Sequence, residues 1–216
     1  MSSADEVVMG LFPLGIVLLP GEVVPLHIFE DRYKLLVRER LDGGEFGVVL
    51  AEDRTLREYG CTARVAEVLE EFDDGRLNIL VEGGRRFRLL QLRPPNDPET
   101  EYLNGLIDFY NDEEPEAPAE LRTGLLAVFR RLLLLMDVES PKEPGGDDVS
   151  RPGSSPLSFR VAAAFDFGAP LKQELLESSS EVQRLETLLH VIEALLPQLR
   201  LRHDREEAIR GNGKGY

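Results

Sequence analysis

Leu11-Phe12-Pro13-Leu14-Gly15-Ile16-Val17-Leu18-Leu19-Pro20-Gly21-Glu22-Val23-Val24-Pro25-Leu26-His27-Ile28-Phe29-Glu30-Asp31-Arg32-Tyr33 decides how the rest of the chain is read. Two apolar runs rich in Val, Ile and Leu flank the turn pair Pro20-Gly21, and the second passes directly into a charged segment, Glu30 to Leu41. Tyr33, Leu36, Val37 and Leu41 recur there at the spacing of one helical face, so the stretch predicts strand, turn, strand and helix, the first two paired as a hairpin.

Working outward, Gly43-Gly44 ends the helix and Phe46 to Ala51 is an apolar run of strand length. From Ala63 an imperfect alternation places Val65, Val68 and Phe72 among Arg64, Glu67, Glu70 and Glu71. Asp73-Asp74-Gly75 is a hairpin turn signal. Leu77 to Val81 follows as a strand, which Gly83-Gly84 is expected to break, and Arg86, Arg88 and Arg93 then alternate with Phe87, Leu89, Leu90 and Leu92. Three prolines within Pro94 to Pro98 demand a loop, and Tyr102 to Tyr110 alternates as a last strand. Six or seven short strands with one helix predict a closed or nearly closed, mostly antiparallel barrel, because closure removes exposed edges.

The acidic, proline-containing stretch Asn111 to Pro118 marks a boundary, and beyond it the pattern is helical. Leu121, Leu125, Val128, Phe129, Leu132, Leu133 and Met136 form one stripe, and Pro141 to Ser155 reads as a long loop. Helices resume at Pro156, at about Leu171 to Glu177, and from Glu181 to Arg202, with Ser178-Ser179-Ser180 as the N-cap region and a kink expected at Pro197. The expected organisation is α+β: a β-barrel domain over 1–115, a C-terminal α-helical bundle over 116–205 and a tail over 206–216. The last stripe is broader than a coiled-coil seam, which favours packing within its own domain and a monomer or weak dimer.

The formal net charge of −15 argues against DNA, RNA or anionic membrane as partners held by a general basic footprint. One cysteine, Cys61, excludes an internal disulfide. The polar, acidic start Met1 to Glu6 lacks the pattern of a signal peptide, and no apolar run reaches the length of a membrane span, so a cytoplasmic location is expected. His27, His190 and His203 fit no metal-ligand spacing, Cys61 has no histidine near it in sequence, and no carboxylate pair is spaced for acid–base work. The reading is therefore a binding protein with no catalytic residue, metal or cofactor.

Pro13-Leu14, Leu19-Pro20-Gly21, Pro25-Leu26, Ile28-Phe29-Glu30 and Arg32-Tyr33 resemble, in order, the opening of the Lon protease N-terminal substrate-binding domain. Gly60 to Ala66, Asp74-Gly75 with Val81 to Phe87, and Leu157 to Leu188 with Lys172 to Glu177 and Arg184-Leu185 resemble three later parts of the same family. The resemblance implies a PUA-like barrel followed by a helical bundle, and a partner that is unfolded polypeptide or another protein. The sequence carries no GxxxxGK[ST] phosphate loop, since Gly211-Asn212-Gly213-Lys214-Gly215 has the wrong spacing, so the resemblance implies a stand-alone domain without ATPase or peptidase activity. Glu30, Asp31, Arg32 and Tyr33 at the helix start, with Arg86 from the family's later segment, are the expected partner-binding residues. Glu30 and Arg86 are expected to pair. PUA barrels also bind RNA, and Arg85-Arg86-Phe87-Arg88 interleaves basic and aromatic residues. RNA or small-molecule binding through the barrel is thus the alternative.

Overall fold

The computed structural model describes residues 6–53, 55–93, 102–113, 117–136 and 155–212. The loop expected over Pro94 to Pro98, nearly all of that over Pro141 to Ser155, and the end of the tail lie outside these residues. Six strands and five helices follow in the order β1 (Glu6–Leu14), β2 (Val23–Ile28), α1 (Asp31–Arg38), β3 (Glu45–Glu52), β4 (Thr55–Glu71), β5 (Leu77–Arg93), β6 (Asn104–Phe109), α2 (Ala119–Leu135), α3 (Leu157–Ala163), α4 (Ala169–Glu177) and α5 (Glu181–Asn212). The class is α+β, as the sequence predicts. The chain divides into two compact units, 1–111 with 166–179, and 112–165 with 180–216.

The first unit is built on one mixed sheet in the order β2-β5-β4-β3-β1-β6, with a further β5–β6 pairing. The opening stretch is not a hairpin. β1 pairs with β3 in parallel and with β6 antiparallel, whereas among the described residues β2 pairs only with β5. Between them, Val17, Leu18 and Leu19 are buried but not in a strand, and the chain turns at Pro20-Gly21 with the Glu22 amide donating to the Leu19 carbonyl at 3.0 Å.

Gly83-Gly84 does not interrupt β5, which runs for 17 residues. Its first half pairs with β2 and its second half with β6, so one long strand serves two partners along the same edge. The second pairing links β5, β4, β3, β1 and β6 in a closed circuit of hydrogen-bonded strands. Met9, Leu11, Val49, Phe87 and Ile107 form one buried cluster in the interior. The expected turn forms at Asp73-Asp74-Gly75: the Gly75 amide donates to the Phe72 carbonyl at 2.8 Å, and Gly75 takes φ 80°, a conformation glycine adopts without steric cost.

Segment 166–179, which the sequence reading places with the later helices, belongs to the first unit. Polar contacts anchor it there. Lys172 Nζ donates to Glu22 at 2.5 Å, Gln173 Nε2 to the Tyr59 carbonyl at 3.2 Å, and Arg86 Nη1 to the Leu176 and Ser178 carbonyls at 3.3 and 2.5 Å. The Tyr110 hydroxyl also donates to the Leu176 carbonyl.

In the second unit α2 and α3 both pack against α5. Leu125, Phe129, Leu132 and Leu133 of the α2 stripe are buried, as are Leu185, Leu188, Ile192 and Leu196 of α5. Ser180 caps α5, its Oγ accepting from the Gln183 amide at 3.4 Å, and Pro197 lies inside the helix, which continues past Arg202 to Asn212. Arg184, 1% exposed, donates to both carboxylate oxygens of Asp112 at 2.7 and 2.5 Å, to Glu181 at 2.7 Å and to Ser158 Oγ at 2.9 Å. Burial works against its charge, but the hydrogen bonds and charges of Asp112 and Glu181 outweigh this and hold the guanidinium pKa above its ordinary value.

Candidate functional site

The expected partner-binding residues do not form one constellation. Glu30 stands at the N-cap of α1 without a side-chain cap bond and makes its ion pair with Arg32 at 2.7 Å. Asp31 projects into solvent and pairs with Lys34 at 2.6 Å. Tyr33, 7% exposed, points inward and stacks on Phe12 with ring centroids 4.1 Å apart. Arg86, 5% exposed, lies over the Tyr110 ring at 4.5 Å and bonds the end of α4. Glu30 and Arg86 therefore do not pair. A carboxylate two residues from Arg32 closes its ion pair locally, and the Arg86 guanidinium is turned to the Leu176 and Ser178 carbonyls.

The basic strand is likewise occupied. Arg85 lies over Phe109 at 3.6 Å with Glu45 at 3.6 Å, and Arg88 donates to Glu58 at 3.1 Å. Each guanidinium already has an aromatic or acidic neighbour, so the strand does not present the row of free cations that phosphate recognition needs. Cys61 is fully buried; burial pushes its thiol pKa well up, and the nearby Gly84 hydrogen bond and Arg86 charge only partly oppose this. A thiol held neutral is a poor nucleophile. Among the described residues no three His, Cys, Asp or Glu side chains come together as a metal site, and no helix is long and apolar enough to cross a membrane.

The structure draws attention to another place in the first unit, the outward face of β2, β5 and β4. β-pairing sets His27 beside Asn78 and Asn78 beside Glu70; it also sets Pro25 beside Leu80 and Leu80 beside Glu67, and Val23 beside Glu82 and Glu82 beside Arg64. Arg64, Glu67 and Glu70 are three apart, a spacing that in a regular strand sends neighbours to opposite faces. Register shifts between Val65 and Glu67 and between Val68 and Glu70 absorb the extra residues, so all three line up with one face of β5. The imperfect alternation from Ala63 onward is the sequence trace of these bulges.

Pro25, Leu26, His27, Leu69, Glu70, Asn78 and Ile79 line a surface depression of about 500 Å³ on this face. Around it Phe29 is 61% exposed, while Val23 and Leu69 are each 52% exposed. His27 stacks on Phe29 with centroids 6.0 Å apart and meets the edge of Phe72 at 6.1 Å. His27 Nδ1 is 2.7 Å from Asn78 Oδ1, and Asn78 Nδ2 donates to Glu70 at 2.9 Å. Among the described residues β2 pairs with β5 on one side only, and no strand covers its other edge. Of the expected residues, Glu30, Asp31 and Arg32 adjoin this face through Phe29 in sequence, while Tyr33 and Arg86 serve the core. The sequence does not single out His27, Phe29 and Leu69 as binding residues, because a lone histidine in a strand reads as structural and an apolar residue at a strand end as core until its exposure is known.

The family model of the ATP-dependent protease La (LON) substrate-binding domain matches residues 8–194. Lon protease from Anaeromyxobacter dehalogenans is 26% identical over 94% of this chain, and Lon protease from Brucella suis 27% identical over 86%. The chain spans about a quarter of the length of these curated relatives, 25% and 24% respectively. A solved Lon N-terminal domain protein from Xanthomonas campestris is similar with a TM-score of 0.64 and 29% identity, covering 85% of this chain and 98% of that one. The N-terminal domain of the Mycobacterium avium complex Lon protease shares the fold, with a TM-score of 0.62 at 20% identity over 86% of this chain and 98% of that one. From motif order, architecture and these matches together, the chain belongs to the LON substrate-binding domain family.

Proposed function

We propose that this chain is a non-catalytic module that binds unfolded polypeptide or a protein partner, and that the outward face of β2, β5 and β4 receives it. The observation that carries this reading is the coincidence of an open strand edge, a depression and the exposed apolar side chains of Val23, Phe29 and Leu69 on one surface. The half or more of each side chain that stands in water adds no burial to the folded chain and gains when covered. Pro25 has no N–H to give the open edge of β2, so insertion of apolar side chains contributes more here than a full added strand. Glu30, Asp31 and Arg32 flank the face as polar rim, with Tyr33 and Arg86 holding the supporting structure.

The closed circuit of strands supports a PUA-like barrel as the architecture of the first unit, and α2, α3 and α5 support a small helical bundle for the second. In the family's protease this module would act ahead of other activities; in this reading its own part is capture.

Fluorescence anisotropy with a labelled, reduced and carboxymethylated polypeptide tests the proposal. The unfolded probe should bind and its native, oxidised form should not. The Phe29→Ser/Leu69→Ser variant should bind about fivefold more weakly or worse, since two apolar contacts are lost. Unchanged affinity in that variant removes the site, and failure of the wild-type chain to bind removes the function.

A further inference from the structure

The same face carries a charge pattern that specifies what kind of polypeptide it accepts, and this step rests on the reading above. Arg64 is taken up by Glu82, and at the adjoining hairpin Arg76 is paired with Asp74 at 2.7 Å and Arg38 with Glu71 at 2.9 Å. Glu70, which lines the depression, and Glu67, brought onto the same face by the bulge between Val68 and Glu70, have no cation partner among the described residues.

The hydrogen bonds fix the polarity of the rim. A carboxylate only accepts, so Asn78 must give its amide N–H to Glu70 and offer its oxygen to His27. His27 must then donate from Nδ1. The hydrogen bond from Asn78 falls on Glu70 Oε2, and among the described residues Oε1 accepts none. The rim thus offers several acceptors beside the apolar patch of Phe29 and Leu69.

We propose that this face selects extended segments in which an apolar or aromatic residue stands beside lysine or arginine, with Glu67 and Glu70 as the specificity-determining residues. The apolar side chain enters the depression and the neighbouring cation meets the two carboxylates. An acidic neighbour would meet unpaired negative charge, so the pattern discriminates by repulsion as well as attraction.

Three fluorescein-labelled peptides, identical around a central Phe-Leu pair but carrying lysine, glutamine or glutamate beside it, test the inference by anisotropy at low ionic strength. The lysine peptide should bind about three- to fivefold more tightly than the glutamine peptide, the scale of partly exposed ion pairs, and the glutamate peptide most weakly. In Glu67→Gln/Glu70→Gln the lysine preference should fall to near unity while affinity for the glutamine peptide is kept. In Glu120→Gln/Glu186→Gln, which removes the same charge from exposed positions of α2 and α5, the preference should persist. A preference that survives the first variant, or that is lost equally in the second, overturns the assignment. Equal binding of all three peptides overturns this inference alone, whereas binding of none overturns the functional reading beneath it.

Discussion

Gly83 lies directly against Leu19: a Cβ on Gly83 would fall 2.1 Å from the Leu19 carbonyl oxygen. The Gly83 amide donates to the Glu22 carbonyl and its own carbonyl accepts from the Gly21 amide, both at 2.8 Å. The Pro20-Gly21 turn is therefore bonded to the middle of β5, and no side chain fits between them. Gly83→Ala should destabilise the first unit by about 2–3 kcal/mol, the upper range for an overpacked site, because the atom displaced is backbone. Urea unfolding followed by circular dichroism would measure this, and a loss below 0.5 kcal/mol, the scale of an ordinary surface change, would contradict the tight approach.

Glu22 at the same turn is buried, accepting the Leu19 amide at 3.0 Å and Lys172 Nζ at 2.5 Å. Lys172→Met leaves a buried carboxylate without its cation and should cost about 3 kcal/mol, whereas Glu22→Gln/Lys172→Met should recover part of that loss. The comparison of midpoints between single and double variants decides whether the charge or the packing dominates.

Arg184 gives the second unit its own test. Arg184→Lys keeps a positive charge but cannot grip both oxygens of Asp112 while reaching Glu181 and Ser158. It should destabilise by about 2 kcal/mol, and Arg184→Met by about 3–5 kcal/mol because two largely buried carboxylates then lack a counter-charge. Thermal unfolding of the two variants should fall in that order; equal melting temperatures would show that the fork geometry is unimportant.

Cys61 and Tyr110 set an alkaline limit. Burial is the first cause that raises both pKa values, so the folded chain keeps both groups neutral. The unfolded chain ionises its cysteine near pH 8.5 and its tyrosine near pH 10. Their contribution is fully present below those values and declines as pH rises past them, because only the unfolded state then releases the proton. Unfolding free energy should fall progressively above about pH 9, with a shallower decline in Cys61→Ala. Thiol reagents should label the native chain only as fast as it opens.

Much of this was readable from local pattern. The turn at Asp73-Asp74-Gly75, the cap at Ser180 and the apolar stripes of α2 and α5 depend on neighbours within a few residues, and periodicity exposes them. Pairing partners were not readable. Nothing local to Leu11-Phe12 says that its parallel neighbour is Gly47-Val48. Gly83-Gly84 reads as a breaker because glycine weakens strands, yet its cause is the approach of Leu19 to Gly83 and of Thr62 to Gly84, which exist only once the chain is folded. The site was the least legible part. Glu67 and Glu70 share a face only through the bulge between Val68 and Glu70, and the exposure of Phe29 is a property of the surface and not of the residue.

The discontinuous first unit has a consequence for synthesis. β1 waits for β6, nearly a hundred residues downstream, and the Arg86 and Tyr110 side chains wait for Leu176, which leaves the ribosome after α2 and α3 have been made. A chain growing from its N-terminus thus holds an unfinished first unit while an intervening piece of the second is already outside the tunnel. Once residue 177 has cleared the tunnel the molecule can dock α4, and until then it exposes the carbonyl-seeking Arg86; the cell's chaperones would see two different nascent chains.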